Sequence, residues 1–365
     1  MTNRAGFRPK KTAARGLSGR ARVRTLVAGL AFLVPVAGFA ASEVSPPTAI
    51  PTPEPAPVPA IVYSVGGKFD GSFNESAFAG VTRFKNETGS DVREFEIARD
   101  AQSLQAMRNF AGRGFAPIVA IGFNQAGAIH KAAEEYPASK FGIIDMVIDA
   151  PNVASYVFKE QEGAYIAGVL AAMATKSGTI GFVGGMDIPI IRRFLCGYRA
   201  GAASVSGDVK VVFNMTGDTP AAFVDPARGN ELARAQIDQG ADVIIQAAGG
   251  TGIGVLQAAS DAGILGIGTD SNQNALHPGH VLTSIRKRVD NAVFESFLAV
   301  REGRFRPGVR VLGVGDGGMD WVLDKNNASL ITSEMKAAAE AAVADISAGR
   351  IKVHDVVSDG PCPLE

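Results

Sequence analysis

The chain is poor in the side chains that carry most metal and nucleophilic chemistry. Two cysteines, Cys196 and Cys362, and four scattered histidines, His130, His277, His280 and His354, are all that 365 residues contain. No CxxC, HExxH or comparable spacing occurs, which removes the common zinc centres and gives no reason to expect a metal or a cofactor. No GxSxG elbow is present, the cysteine in a helical pattern has no neighbouring histidine, and no acidic pair stands at general-acid spacing. An enzyme is therefore not expected. Acidic residues are missing from the first 42 positions, whereas eight basic residues lie between Arg4 and Arg24. Without that segment the chain has 28 basic against 36 acidic residues, a net charge of −8, which argues against a nucleic-acid partner.

The same asymmetry explains the N-terminus. A basic region ends at Arg24, an apolar run covers 26–39, and Gly38 and Ala40 place small residues at −3 and −1 of a cleavage site. Residues 1–40 read as a secretory signal peptide, because roughly 15 apolar residues are short for a membrane span. An uncleaved anchor is the competing reading. No arginine pair and no cysteine near position 40 supports a twin-arginine signal or lipid attachment. Residues 41–60 hold seven prolines, from Pro46 to Pro59, and read as an extended polyproline spacer. Export would place Cys196 and Cys362 where they could pair. Their spacing does not establish proximity, and the helical pattern around Cys196 equally suits a buried core residue.

Beyond residue 60 short apolar runs alternate with amphipathic helical patterns. Strands are expected near 60–65, 92–97, 117–121 and 141–144, then near 179–183, 209–213, 242–245 and 264–267. Helices are expected between them, with a long one over 160–174. This alternation predicts an α/β fold of two doubly wound parallel-sheet lobes. Three crossings would join them in a clamshell, with lobe I from 61–176 and 284–308 and lobe II from 177–283 and 309–358. Ligands of such sheets bind beyond the carboxyl ends of the strands.

The residues at those ends suit a flat, uncharged, hydrogen-bonding ligand. The first strand runs into GGKFDGSFN (66–74), which lacks the Lys-Ser/Thr pair of a phosphate loop and the GxGxxG spacing of dinucleotide sites. It offers Ser64, Phe69, Asp70, Ser72, Phe73 and Asn74. Later ends offer Phe123 and Asn124, then Asp145, Phe194 one turn into a helix, Gly249, and Asp270. Aromatics stack on a ring and carboxylates accept paired hydroxyls. Each has a plainer reading. Asp70 and Asn74 could cap the helix that follows, Phe73 and Phe194 could pack in cores, and Asp145 and Asp270 could close turns. Gly249 could serve a tight turn, and Lys287 could be a solvated charge.

In order along the chain, GGKFDGSFNESAF (66–78), FGIID (141–145), NVASYVFKEQEGAYIAGVLAA (152–172) and GFVGGMDIPIIRRFLCGYRAG (181–201) resemble the basic membrane protein (BMP) family. DPARG (225–229), GADVIIQAAGGTGIGVLQAA (240–259), TSIRKRVDNAV (283–293) and GMDW (318–321) continue the match. These are substrate-binding components of ABC importers, typified by a purine nucleoside receptor. The resemblance implies a type I periplasmic binding fold, a nucleoside ligand and ABC permease subunits as partners. Many members are lipoproteins with a cysteine at the cleavage site; this chain lacks it, so a soluble periplasmic protein, and a monomer, is expected. Phe73 would stack on the base, with Phe194 opposite it and Phe123 and Phe223 as further aromatics. Ser72 and Asn74 would orient the base, Asp145, Asp270 and Lys287 would hold the ribose, and Gly249 would supply backbone contacts. Ser64 departs from the family, whose members usually carry Asp there, so the base preference is open. A ligand-sensing partner of a membrane receptor, or the same scaffold with a different aromatic or sugar-like ligand, is the alternative.

Overall fold

The computed structural model describes Leu26 and residues 56–364, and every element below lies in the unit Glu54–Glu365. The expected signal peptide and most of the proline-rich spacer lie outside the described residues. Strands β1 (Ala60–Tyr63), β2 (Arg93–Glu96), β3 (Ile118–Ile121), β4 (Phe141–Ile144) and β5 (Val153–Phe158) alternate with helices α1 (Phe73–Thr88), α2 (Ser103–Ala111) and α3 (Ala126–Glu135). After helix α4 (Glu160–Ala174) a second series begins. It holds β6 (Thr179–Met186), α5 (Pro189–Val205), β7 (Lys210–Gly217), α6 (Pro226–Asp238), β8 (Val243–Ala247), α7 (Gly252–Asp261) and β9 (Leu265–Asp270). The chain closes with β10 (Val281–Lys287), α8 (Val289–Arg301), β11 (Gly308–Leu312), β12 (Met319–Trp321) and α9 (Ser333–Ser347).

The strands form two six-stranded sheets, ordered β11-β5-β4-β3-β1-β2 and β12-β10-β9-β8-β6-β7. All pairings are parallel except β10 with β12. The wholly buried sequences AIVY of β1, IVAI of β3 and VIIQA of β8 suit sheets covered on both faces. The expected α/β architecture of two doubly wound lobes is what the chain adopts. Sequence reading passed over β5 and β12. The first follows a proline-containing loop directly and runs into α4 almost without a turn, and the second is only three residues long.

Chain crossings fall at strand ends, not at the composition breaks. Helix α4 packs on α5, α9, β10 and β12, so it belongs to the second lobe, whereas α8 packs on α1 of the first. Strand β10 pairs in the second sheet, and β11 pairs with β5 in the first. The crossings therefore lie near 159, 288 and 313–318, displaced from the expected cuts after 176, 283 and 308. They touch one another: Lys159 N donates to Leu312 O (2.9 Å), Arg288 N to Gly318 O (2.9 Å), and Val314 N to Glu162 Oε2 (2.8 Å).

Helix α4 is buried nearly all round, as an interior helix must be. It lies against α5 at glycines: a methyl group at Gly201 would collide with Tyr165 O, and one at Gly168 with Tyr198 O. This close fit sets α5 in place, and with it the wall of the site below. Cys196 of α5 is bonded to Cys362 with a Cα separation of 5.8 Å. The two readings of Cys196 thus combine, because it is both buried and paired.

Candidate functional site

The helix that carries Phe73 begins where Asp70 allows it to. Asp70 accepts from the backbone N–H groups of Ser72 (2.9 Å), Asn74 (3.0 Å) and Glu75 (3.0 Å), satisfying donors that an open helix end leaves unpaired. The capping reading of Asp70 is therefore correct, although the residue also borders the cleft. Asn74 is nearly fully buried and works inside the lobe. Its Oδ1 accepts from Ser64 N and Ser64 Oγ, both at 3.1 Å. Ser72 is buried as well, and its hydroxyl donates to Asp270 Oδ2 of the other lobe at 2.7 Å. Ser271 Oγ returns a bond to Ser72 O (2.6 Å), and Gln273 Nε2 reaches Gly71 O (2.8 Å). The lobes thus meet at the start of α1.

Between them lies a cavity that is partly open to solvent. Of the residues expected to bind ligand, Ser64, Asp70, Phe73, Phe123, Asn124, Asp145, Phe194, Gly249, Asp270 and Lys287 line it. Three expected residues do not. Ser72 and Asn74 are turned inward as described. Phe69 is 72% exposed and stands edge-on to Phe78, with the Lys68 ammonium over both rings, outside the cavity. The second lobe adds an apolar wall of Ile188, Ile190, Ile191, Pro220, Phe223 and Ala247. Phe123 and Phe223 meet across the cleft with centroids 6.3 Å apart, tilted at 67°. The isoleucines were legible only as helix-start residues, because nothing in the spacing of Asp187-Ile-Pro-Ile-Ile191 distinguishes a pocket wall from a core.

Asp145 and Asp270 are the site's most unusual residues. Among the described residues they are the non-glycine positions with left-handed backbone, at φ 70° and 67°. A side chain there costs of order 1 kcal/mol or more, and such strain collects at functional sites. Asp145 directly follows β4 and Asp270 ends β9, which are the third strands in the two sheet orders, so they occupy equivalent positions in the two lobes. Both residues also line the cavity, which turn closure alone would not require.

Lys287, at the carboxyl end of β10, sits with its side chain 2% exposed between Asp145 Oδ1 (2.6 Å) and Glu160 Oε1 (2.8 Å). Its ammonium lies 5.4 Å from the Phe73 ring centre and 5.1 Å from that of Phe158. It is not a solvated charge. Burial alone would lower its pKa, but Asp145, Glu160 and Asp270 outweigh that and hold it protonated, above the ordinary lysine range. Burial pushes the Asp145, Glu160 and Asp270 carboxyls up, and Lys287 opposes the rise in each. Glu160, 1% exposed in the first turn of α4, was not singled out from the sequence. A glutamate opening a helix reads as ordinary dipole compensation, and only the fold brings it to Lys287.

A cation among three carboxylates, with aromatic rings alongside, suits a neutral ligand bearing a ring and several hydroxyls. A family model for "ABC transporter substrate-binding protein PnrA-like" (Bmp) matches residues 58–353. An "ABC transporter nucleoside-binding protein BmpA" of Lactococcus lactis is 36% identical over 307 residues, covering 78% of this chain and 85% of that protein. Basic membrane protein D of Borreliella burgdorferi is 31% identical over 72% of this chain and 78% of its own length. An ABC transporter solute-binding protein from Aeropyrum pernix has a solved structure with a TM-score of 0.73, 29% identity, and coverage of 82% and 94%.

Proposed function

The chain belongs to the Bmp family of PnrA-like ABC transporter substrate-binding proteins, and from that premise we propose that it binds a nucleoside between its lobes and delivers it to a membrane permease. The observation that carries this reading is the pair of left-handed aspartates, Asp145 and Asp270, flanking the buried Lys287 beside Phe73. Phe73 stacks on the base, with Phe194, Phe123 and Phe223 closing the aromatic box. Asp145, Lys287 and the free oxygen of Asp270 take the ribose hydroxyls. Ser64 and Asn124 face the base edge as neutral groups, which fits an uncharged base. The protein works outside the cytoplasm. Among the described residues no helix is long and apolar enough to cross a membrane. Both cysteines of this chain are joined to each other, as suits an oxidising compartment.

Stripped of carried ligand by unfolding and refolding, the protein should bind a purine nucleoside in calorimetric titration, with free bases and sugars weaker. Silence from every nucleoside, with a hit among other ring-bearing polyols, would transfer the site to another ligand. Phe73→Ala should weaken nucleoside binding by at least ~1 kcal/mol through lost stacking; an unaltered dissociation constant returns Phe73 to a packing role.

Acidification gives a second check. The two aspartates serve the ligand as carboxylates, and burial raises both above the ordinary aspartate value of 3.8. Affinity is therefore complete above the raised values and falls as pH drops through them. On acidification from neutrality, binding should already weaken above the ordinary aspartate value, before unperturbed aspartates take up protons. A constant affinity over that interval takes the carboxylates out of the ligand contact.

A further inference from the structure

We propose that the disulfide-tethered C-terminal tail is a positioning element of the cleft, in which Asp355, through Arg193 and Glu160, keeps Lys287 where it meets the ligand. The proposal rests on the nucleoside reading of the same cavity. Arg193 and Cys196 stand one turn apart on α5, and the tail is fastened to both. Asp355 accepts from Arg193 Nε (2.7 Å) and Nη2 (3.0 Å), while Cys362 is bonded to Cys196. Between these anchors the tail is a compact turn. Ser358 N and Asp359 N donate to Asp355 O, Val357 N donates to Asp355 Oδ1, and His354 Nε2 lies 2.8 Å from Gly360 O.

A guanidinium gripped along one edge has a fixed plane. With Nε and Nη2 taken by Asp355, the remaining nitrogen, Nη1, is directed at Glu160 Oε2, 3.5 Å away. That oxygen is buried and makes no hydrogen bond among the described residues, so Arg193 is the charge that faces it. The other oxygen of Glu160 holds Lys287. The string Asp355–Arg193–Glu160–Lys287–Asp145 thus runs from the tail to the cavity wall. If Arg193 loses its grip, Glu160 either draws Lys287 wholly to itself or follows the loosened guanidinium. Both movements take the ammonium from its place beside Asp145. Asp355 and Arg193 touch no ligand and act by position alone.

Asp355→Asn tests this in the exported protein, with adenosine as probe in calorimetry and the Lys287 ammonium followed by nitrogen-15 NMR without ligand. Ile346→Ala, which trims a buried apolar side chain of α9 and removes no charge, controls for stability. Asp355→Asn should weaken adenosine binding about tenfold, and Asp355→Glu should restore it to within about threefold, as for other groups that orient a ligating side chain. Ile346→Ala should lower the melting point and leave the dissociation constant alone. Equal affinities in Asp355→Asn and the parent, or equal losses in Asp355→Asn and Ile346→Ala, overturn the proposal. Should the parent bind no adenosine, the ammonium signal alone decides. A resonance moved by Asp355→Asn and not by Ile346→Ala upholds the relay; an unmoved one ends it.

Discussion

Lys287→Met is expected to destabilise the protein by about 3–5 kcal/mol, the usual cost of stranding buried charge, and to abolish nucleoside binding. Asp145 and Glu160 each approach the Lys287 ammonium within 2.8 Å, and all three side chains are almost wholly out of water. Without the cation, two carboxylates share a dry space with Arg193 as the remaining counter-charge, 3.5 Å from one of them. Against a typical total stability of about 5–15 kcal/mol, such a loss is severe. It should also depend on pH. With Lys287 gone the two carboxyls bind protons in the folded chain at a pH where the unfolded chain has released them. Stability then falls as pH rises, so acidifying towards the ordinary carboxylate range should recover part of the loss. Adding Asp145→Asn and Glu160→Gln to the methionine variant should recover more, because neutral amides need no counter-ion. Urea midpoints at two pH values measure all of this. A small, pH-independent loss would mean that water, not Lys287, satisfies these carboxylates.

Replacing both Cys196 and Cys362 with serine should be nearly as damaging. The bond spans 166 residues, and in the chain-entropy view a loop of that length restrains the unfolded chain by about 5 kcal/mol. The bond also holds the tail across α5, where Val353 and Cys362 are buried. Equilibrium unfolding with and without a reducing agent gives the difference directly. The parent should lose stability on reduction while the serine variant does not respond. Coincident curves for the reduced and oxidised parent would show that the tail stays docked without the bond, and would leave its ion pair with Arg193 as the operative anchor.

Much of the cavity lining was readable because it lies beyond the carboxyl ends of parallel strands. Asp145, Phe123, Gly249 and Asp270 follow apolar runs directly, so finding the runs found the residues. The errors came from side-chain direction. Ser72, Phe73 and Asn74 are consecutive at a helix start, yet Phe73 faces the cavity while its neighbours turn inward, one to Asp270 and the other to Ser64. A helix rotates successive side chains by about 100°, so adjacency in sequence does not mean a shared surface. Phe69 stands in the turn before α1, where no periodicity sets side-chain direction, and it packs on Phe78 instead. The lobe boundaries failed because glycine-rich breaks mark turns anywhere, whereas the crossings occur at the ends of β5, β10 and β11.

The amino-acid sequence by itself determined the alternation of buried strands and amphipathic helices, hence two parallel sheets and a cleft beyond their carboxyl ends. Those properties follow from local periodicity and chain connectivity. Only the tertiary structure decided which charges meet. Lys287 lies 142 residues from Asp145 and 127 from Glu160, and Arg193 lies 162 from Asp355. Nothing local distinguishes these from solvated surface charges, because a pairing between distant side chains exists only after the backbone has brought them together and removed the water.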